Sequence, residues 1–267
     1  MKTSKGPRPR QDMQFGKFGT VRIKRYIFAK QFVSNCIVLD AGCGSGNGVE
    51  YLAANGAQRV IGIDISHKVI QHAKKHYLRD NLEFQMMDVT NLAFGDATFD
   101  VVVSFEVIEH IRQYHQYLSE ILRVLKPGGL FIMSTPNRRF RTRQDSNLPT
   151  LQSHLKEFFT QELGELLASC FPEVRMCGMH ITTPSFREEQ KQMEKRLGSG
   201  LRGFLIRIVP IRLIRVVPPR LKMMLAGVGD YKTVLNVKVN SALTVDDLEI
   251  NENEPDEARD LIAVCKR

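Results

Sequence analysis

The run Val38-Leu39-Asp40-Ala41-Gly42-Cys43-Gly44-Ser45-Gly46-Asn47-Gly48 constrains the fold of this chain more than any other stretch. It is an apolar segment, then an acid, then alternating glycines. An acid at the tip of a strand can hydrogen-bond a cationic or polyhydroxyl ligand. Glycines behind it let the backbone turn sharply and approach that ligand with no Cβ in the way. Read from any of its glycines, the run does not give G-x-G-x-x-G, so the dinucleotide-binding fingerprint is not met. It has no Gly-Lys-Ser/Thr and is not a P-loop.

Four further signals follow in order. Arg59 to Asp64 is a short apolar run ending in an acid, as a buried parallel strand would be. Asp64 lies about 20 residues past the glycine loop, where doubly wound folds place an acid on a ribose. Ser66 is set to cap the next helix. Leu82 to Val89 reads as a third strand ending in Asp88, and Phe99 to Phe105 as a fourth. Ligands of open parallel sheets bind beyond the carboxyl strand ends, which puts Phe105 and Glu106 at a ligand's edge. Glu109 and His110 are then acid–base groups, polar contacts to substrate, or residues that orient a helical turn. A helix ends at Leu125 or Lys126, Pro127-Gly128-Gly129 forms a turn, and Leu130 to Thr135 reads as a fifth strand.

The form Asp-x-Gly-x-Gly-x-Gly after a strand resembles motif I of the class I S-adenosylmethionine-dependent methyltransferases. The Phe-Asp-Val-Val-x-x-x-x-Val-x-Glu-His-Ile pattern from Phe99 resembles their UbiG-like branch. The resemblance implies an α/β fold: a seven-stranded, mostly parallel, Rossmann-like sheet with its last strand antiparallel. It implies that Asp40, Gly42, Gly44 and Gly46 hold the methionine end of S-adenosylmethionine. Asp64 would bind the ribose, Ile65 and Val89 would pack on the adenine, and Asp88 would sit near its amino group. Phe105 and Glu106 complete that list. The implied activity is methyl transfer to a small-molecule, glycan or lipid-linked acceptor. Oxygen is favoured as the acceptor atom by the UbiG-like likeness alone.

Ser134-Thr135-Pro136-Asn137, with the later His154-Leu155-Lys156-Glu157-Phe158, is similar to methyltransferases of sugars, quinone precursors and related metabolites. A hydroxyl acceptor must lose its proton as the methyl group arrives, and imidazole titrates near neutral pH. His154 is the first candidate base, with Glu157 orienting it and His110 as a second candidate. The other reading of the His154–Glu157 pair is a structural one, fixing a loop to the helix that follows.

The 267 residues allow one large α/β domain with an elaboration, divided as 1–186 and 229–267 around an insertion at 187–228. Residues 1–14 read as disordered, 18–34 as a helix over the cleft, and 157–170 as a helix capped by Thr160 with Leu163, Leu166 and Leu167 inward. Residues 171–178 read as a sixth strand and Leu261 to Cys265 as the last. Lys195 to Lys222 holds eight Lys or Arg and no acid, interleaved with apolar residues and broken by Pro210, Pro218 and Pro219. That composition fits a membrane-interface helix, a helical lid over the acceptor pocket, or a dimer contact. The acidic stretch Asp246 to Glu254 offsets this basic insertion or forms a solvated loop.

The net charge of +9 suits a polyanion. No RNA-binding module or aromatic stripe accompanies it, so a nucleic-acid partner is disfavoured. The five cysteines show no C-x-x-C spacing and are odd in number, which argues against a zinc site and a disulfide framework; no metal is assigned. No apolar run reaches the length of a transmembrane helix and no signal core follows the basic N-terminus. The expected place is the cytoplasm, with peripheral contact at the inner membrane face as an option. Two other functions stay open: an RNA or protein methyltransferase using the basic surface, and a non-catalytic cofactor-binding subunit.

Overall fold

The computed structural model describes residues 17–141, 154–182 and 244–267. The chain enters through helix α1 (Lys17–Ala29) and a 3-10 turn (Lys30–Phe32). Alternation then begins: β1 (Ile37–Ala41), α2 (Asn47–Ala54), β2 (Arg59–Asp64), α3 (His67–His76) and β3 (Leu82–Met86). β4 (Phe99–Phe105) leads through a 3-10 turn (Ile108–His110) to α4 (Tyr114–Val124) and β5 (Leu125–Pro136). One turn of helix, α5 (Arg138–Arg141), ends the first described stretch. α6 (Thr160–Ala168), β6 (Glu173–Ile181), β7 (Leu248–Asn251) and β8 (Asp260–Lys266) complete the described elements.

The strands form one sheet in the order β3-β2-β1-β4-β5-β8-β6-β7. β1 pairs in parallel with β2 on one side and β4 on the other, and β5 continues the parallel set. β8 runs antiparallel between β5 and β6. Strand order therefore reverses between β1 and β4, and a crevice opens beyond their carboxyl ends. That crevice is where Gly42 and Glu106 leave their strands.

The sheet is buried on both faces because its strands are near-continuous apolar runs. Successive residues serve opposite layers: Val38, Val101 and Val103 face Leu52, Ile70 and α1, while Leu39, Val102 and Phe131 face Tyr117, Ile121, Leu163 and Leu167. Each such buried aliphatic side chain contributes roughly 2 kcal/mol of transfer free energy. α3 starts as its sequence dictates. Ser66 has extended dihedrals and its Oγ accepts from the Val69 N–H at 3.4 Å.

Four expectations are corrected. The described sheet has eight strands where seven were expected, because Leu248–Asn251 of the acidic stretch pairs antiparallel with β6. Leu248 fills a third small core with Met179 and Ile262, and that burial outweighs the local acidity. Thr160 is the first residue of α6 and not its cap; Phe159 occupies that position, and the Thr160 Oγ1 is buried with no hydrogen-bond partner. Pro127-Gly128-Gly129 lies within β5, as an irregularity between the pairs Phe99–Leu125 and Val101–Leu130, with Gly128 at φ +77. The sixth strand begins two residues later and ends three later than expected, at Glu173–Ile181. The insertion at 187–228, its basic part 195–222 and residues 1–14 lie outside the described residues.

Candidate active site

The glycine loop hangs from β2 by two backbone bonds. Gly42 N and Cys43 N both donate to the Ile63 carbonyl, at 2.9 and 2.8 Å. Gly42 holds φ +96, and a Cβ there would lie 2.4 Å from a Val107 methyl. Gly44 is left-handed too, at φ +52, but open space surrounds the position of its missing Cβ. Its N–H donates to Asp64 Oδ2 at 3.1 Å, so the loop and the end of β2 are one unit. Asp64 Oδ1 accepts from Ser66 N at 2.9 Å. A carboxylate offers about four lone-pair positions, so this one keeps room for two hydroxyls.

A cavity of about 820 Å³ opens beside this loop. Gly42, Gly44, Asp64, Ile65, Asp88, Val89, Phe105, Glu106, His110 and His154 all line it. Ile65 is 71% exposed, an apolar side chain presented to the opening beside an acid. Asp88 folds back on its own turn, with Oδ1 accepting from Thr90 N and Oγ1 at 2.8 Å each.

Three expected residues do not line it. Asp40 is fully buried, its Oδ2 accepting from the Tyr26 hydroxyl at 2.8 Å while Oδ1 has no partner. Burial, with a smaller push from the Asp64 charge, raises its pKa to about 7. Gly46 is buried at the start of α2, under Phe84. Glu157 sits behind His154, with Oε1 2.7 Å from His154 Nδ1.

The far wall is polar. Glu106, the residue after β4, adopts φ +60, a conformation that costs a non-glycine residue about 1 kcal/mol. It is held there by Ser134, which accepts from its N–H at 3.0 Å and donates its Oγ to Oε1 at 3.1 Å. Arg25 of α1 reaches the same carboxylate at 3.1 Å and Asp260 of β8 at 2.9 Å. Glu109 is fully buried. Thr135 Oγ1 donates to its Oε2 at 3.0 Å, and Oε1 has no partner. Burial first, then the Glu106 charge, lift the Glu109 pKa to about 8. Its carbonyl accepts from Leu155 N at 2.7 Å and Lys156 N at 3.2 Å. Those bonds bring the 154–157 segment onto the turn after β4, and the His154 and His110 rings meet edge to face at 4.9 Å.

Arg25, Tyr26 and Thr135 escaped the sequence reading. Thr135 sat in a segment already singled out. Nothing local marks Arg25 or Tyr26, whose partners lie 235 and 14 residues away.

Residues 39–133 match the family described as "Methyltransferase domain". Over 86% of its length the chain is 32% identical to a protein of Mycobacterium tuberculosis named a probable S-adenosylmethionine-dependent methyltransferase, of which the match covers 76%. The chain belongs to the S-adenosylmethionine-dependent methyltransferases. The cofactor of this methyltransferase chain is S-adenosylmethionine. A probable S-adenosylmethionine-dependent methyltransferase of Mycolicibacterium smegmatis is 42% identical over 51% of the chain and 52% of that relative. A ubiquinone biosynthesis O-methyltransferase of Coxiella burnetii is 35% identical over 45% of the chain and 52% of its own length. The chain thus spans about half the length of these two relatives. Among solved structures, a methyltransferase of Thermotoga maritima matches with a TM-score of 0.57 at 14% identity, covering 92% of this chain and 89% of that one. That likeness is one of fold.

Proposed function

We propose that the chain transfers a methyl group from S-adenosylmethionine to a hydroxyl oxygen of a small-molecule, glycan or lipid-linked acceptor. One observation carries the reading. His154, backed by the buried Glu157 at 2.7 Å, lines the same cavity as Asp64 and Gly44.

The residues of the first wall fit the cofactor. The spare lone pairs of Asp64 suit two ribose hydroxyls. The exposed Ile65 and the neighbouring Val89 offer an apolar face to the adenine, with Asp88 at its edge. The open backbone at Gly44, with Gly42, suits the methionine end. Asp40 acts from beneath, by holding α1 to the glycine loop. When bound, the cofactor supplies a methyl group on a positively charged sulfur.

The second wall receives the acceptor. Glu157 fixes the His154 ring through Nδ1, which leaves Nε2 to take the proton of the acceptor hydroxyl. His110 borders the same space. Phe105 and the strained Glu106 line the cavity at the end of β4 and help set how far apart the reactants lie. The Coxiella relative's name, that of an O-methyltransferase, supports oxygen as the acceptor atom.

The experiment is an acceptor screen with purified protein and S-adenosylmethionine, reading S-adenosylhomocysteine. Sugars, quinone precursors and their lipid-linked forms come first. A hydroxyl acceptor should turn over, and His154→Ala should lower kcat about 10²–10⁴-fold, the usual share of acid–base catalysis. Methylation at nitrogen or carbon, or an unchanged rate in His154→Ala, would refute this reading.

A further inference from the structure

Glu109, His110 and His154 each offer one ligand atom, and these atoms all lie within 4.8 Å of one another. All three residues line the cavity. We propose that they form a divalent transition-metal site at the acceptor end of the cavity.

The donor set is two imidazoles and one carboxylate. Such a set suits borderline ions such as Zn²⁺, Co²⁺ or Ni²⁺ and leaves coordination positions open to a ligand. Two independent features point the same way. Glu109 Oε1 is buried without a hydrogen-bond partner, although Oε2 has Thr135. A buried carboxylate oxygen left unsatisfied is costly, and a metal ion satisfies it. His154 binds Glu157 through Nδ1 at 2.7 Å, and neither side chain is more than 5% exposed. A carboxylate behind a histidine is the arrangement that fixes the ring of a metal ligand and presents its other nitrogen. The cysteine spacing speaks only to thiolate sites. This group is assembled by the fold, from a turn after β4 and a segment that reaches it through the Glu109 carbonyl.

The ion's role rests on the methyl-transfer reading; its binding does not. An acceptor hydroxyl that enters an open position becomes more acidic. Its O–H bond breaks, the proton leaves to solvent and the electron pair stays on the oxygen. In that form His154 serves as a ligand, and the metal replaces it as the group that activates the hydroxyl.

The test titrates the full chain with Co²⁺, without cofactor or acceptor, by visible absorption and calorimetry. One saturable site should appear, with nitrogen–oxygen ligand-field bands and no thiolate charge-transfer band. His154→Ala and the isosteric Glu109→Gln should each weaken it at least about tenfold, and Glu157→Gln should weaken it by roughly 10–100-fold, as losses behind a ligand do. The His72–His76 pair on α3 is a competing surface site, its rings stacked at 4.0 Å. His76→Gln should leave the affinity unchanged. No saturable binding, a thiolate band, or a site that survives both His154→Ala and Glu109→Gln would overturn the proposal. Melting curves on the Glu109→Gln protein guard against loss by misfolding. Because neither cofactor nor acceptor is present, failure here leaves the methyl-transfer reading standing.

Discussion

Tyr26 donates its hydroxyl to Asp40 at 2.8 Å, inside the protein, and so ties helix α1 to the strand that ends in the glycine loop. The other oxygen of Asp40 has no partner. Tyr26→Phe strands both oxygens. It should destabilise the fold by about 1–3 kcal/mol, the cost of unpaired buried polar groups. Urea denaturation measures this. Cofactor affinity should fall alongside, as α1 loosens over the cavity.

Asp40 also shapes the response to pH. Its folded pKa is about 7 against an ordinary value of 3.8. Between those values the folded chain holds a proton that the unfolded chain has released. Stability therefore falls as pH rises through that window, and the contribution of the Asp40 proton is fully lost above about 7. Asp40→Asn stays uncharged at every pH. Its stability should decline less steeply from pH 4 to 7 than that of the wild type, in denaturation series taken at several pH values. Equal slopes would show that Asp40 titrates normally.

Much of this was legible in the sequence. Apolar β-branched runs with an acid at or just past the end marked β1, β2 and β4, because a parallel strand buried on both faces needs such a run and its carboxyl end is where ligands bind; β3 was marked by its terminal Asp88. Asp64, Ile65, Asp88 and Val89 reached the cavity for that reason. Asp40 did not. A strand-end acid points to one side of the sheet or the other, and the pattern alone does not say whether a tyrosine from another element will claim it. β7 was hidden because Leu248 and Ile250 alternate with acids, which reads as solvated chain until β6 supplies an edge. The approach of His154 to His110 depends on backbone bonds to the Glu109 carbonyl, which no side-chain pattern encodes.

Gly48 is a packing requirement of the same region. A Cβ added there would lie 1.9 Å from Tyr26 Cζ. Tyr26 is buried between Phe105, at 4.9 Å edge to face, and Asp40, and has nowhere to retreat. Gly48→Ala should cost about 1–3 kcal/mol by overpacking and lower the melting temperature. A melting temperature equal to that of the wild type would contradict the tight seating of α1.

Arg25 joins three elements, pairing with Glu106 after β4 and Asp260 of β8 from its place on α1. Removing one partner of a buried ion pair leaves an uncompensated charge. Arg259 also touches Asp260, at 2.8 Å, and softens the loss. Arg25→Met should still destabilise by about 3 kcal/mol, at the low end of such losses. A variant as stable as the wild type in urea would show that the network contributes nothing.

The central claim is that Asp64 and the glycine loop hold S-adenosylmethionine in the cavity between the two walls. Calorimetric titration of the wild type and of Asp64→Asn with the cofactor tests it most directly, since asparagine keeps the shape and discards the charge proposed to hold two hydroxyls. Saturable binding by the wild type, weakened by tenfold or more in Asp64→Asn at an unchanged melting temperature, is the predicted result, about 1.4 kcal/mol or more. Equal affinity in the two proteins, or no binding by a folded wild type, would contradict the account.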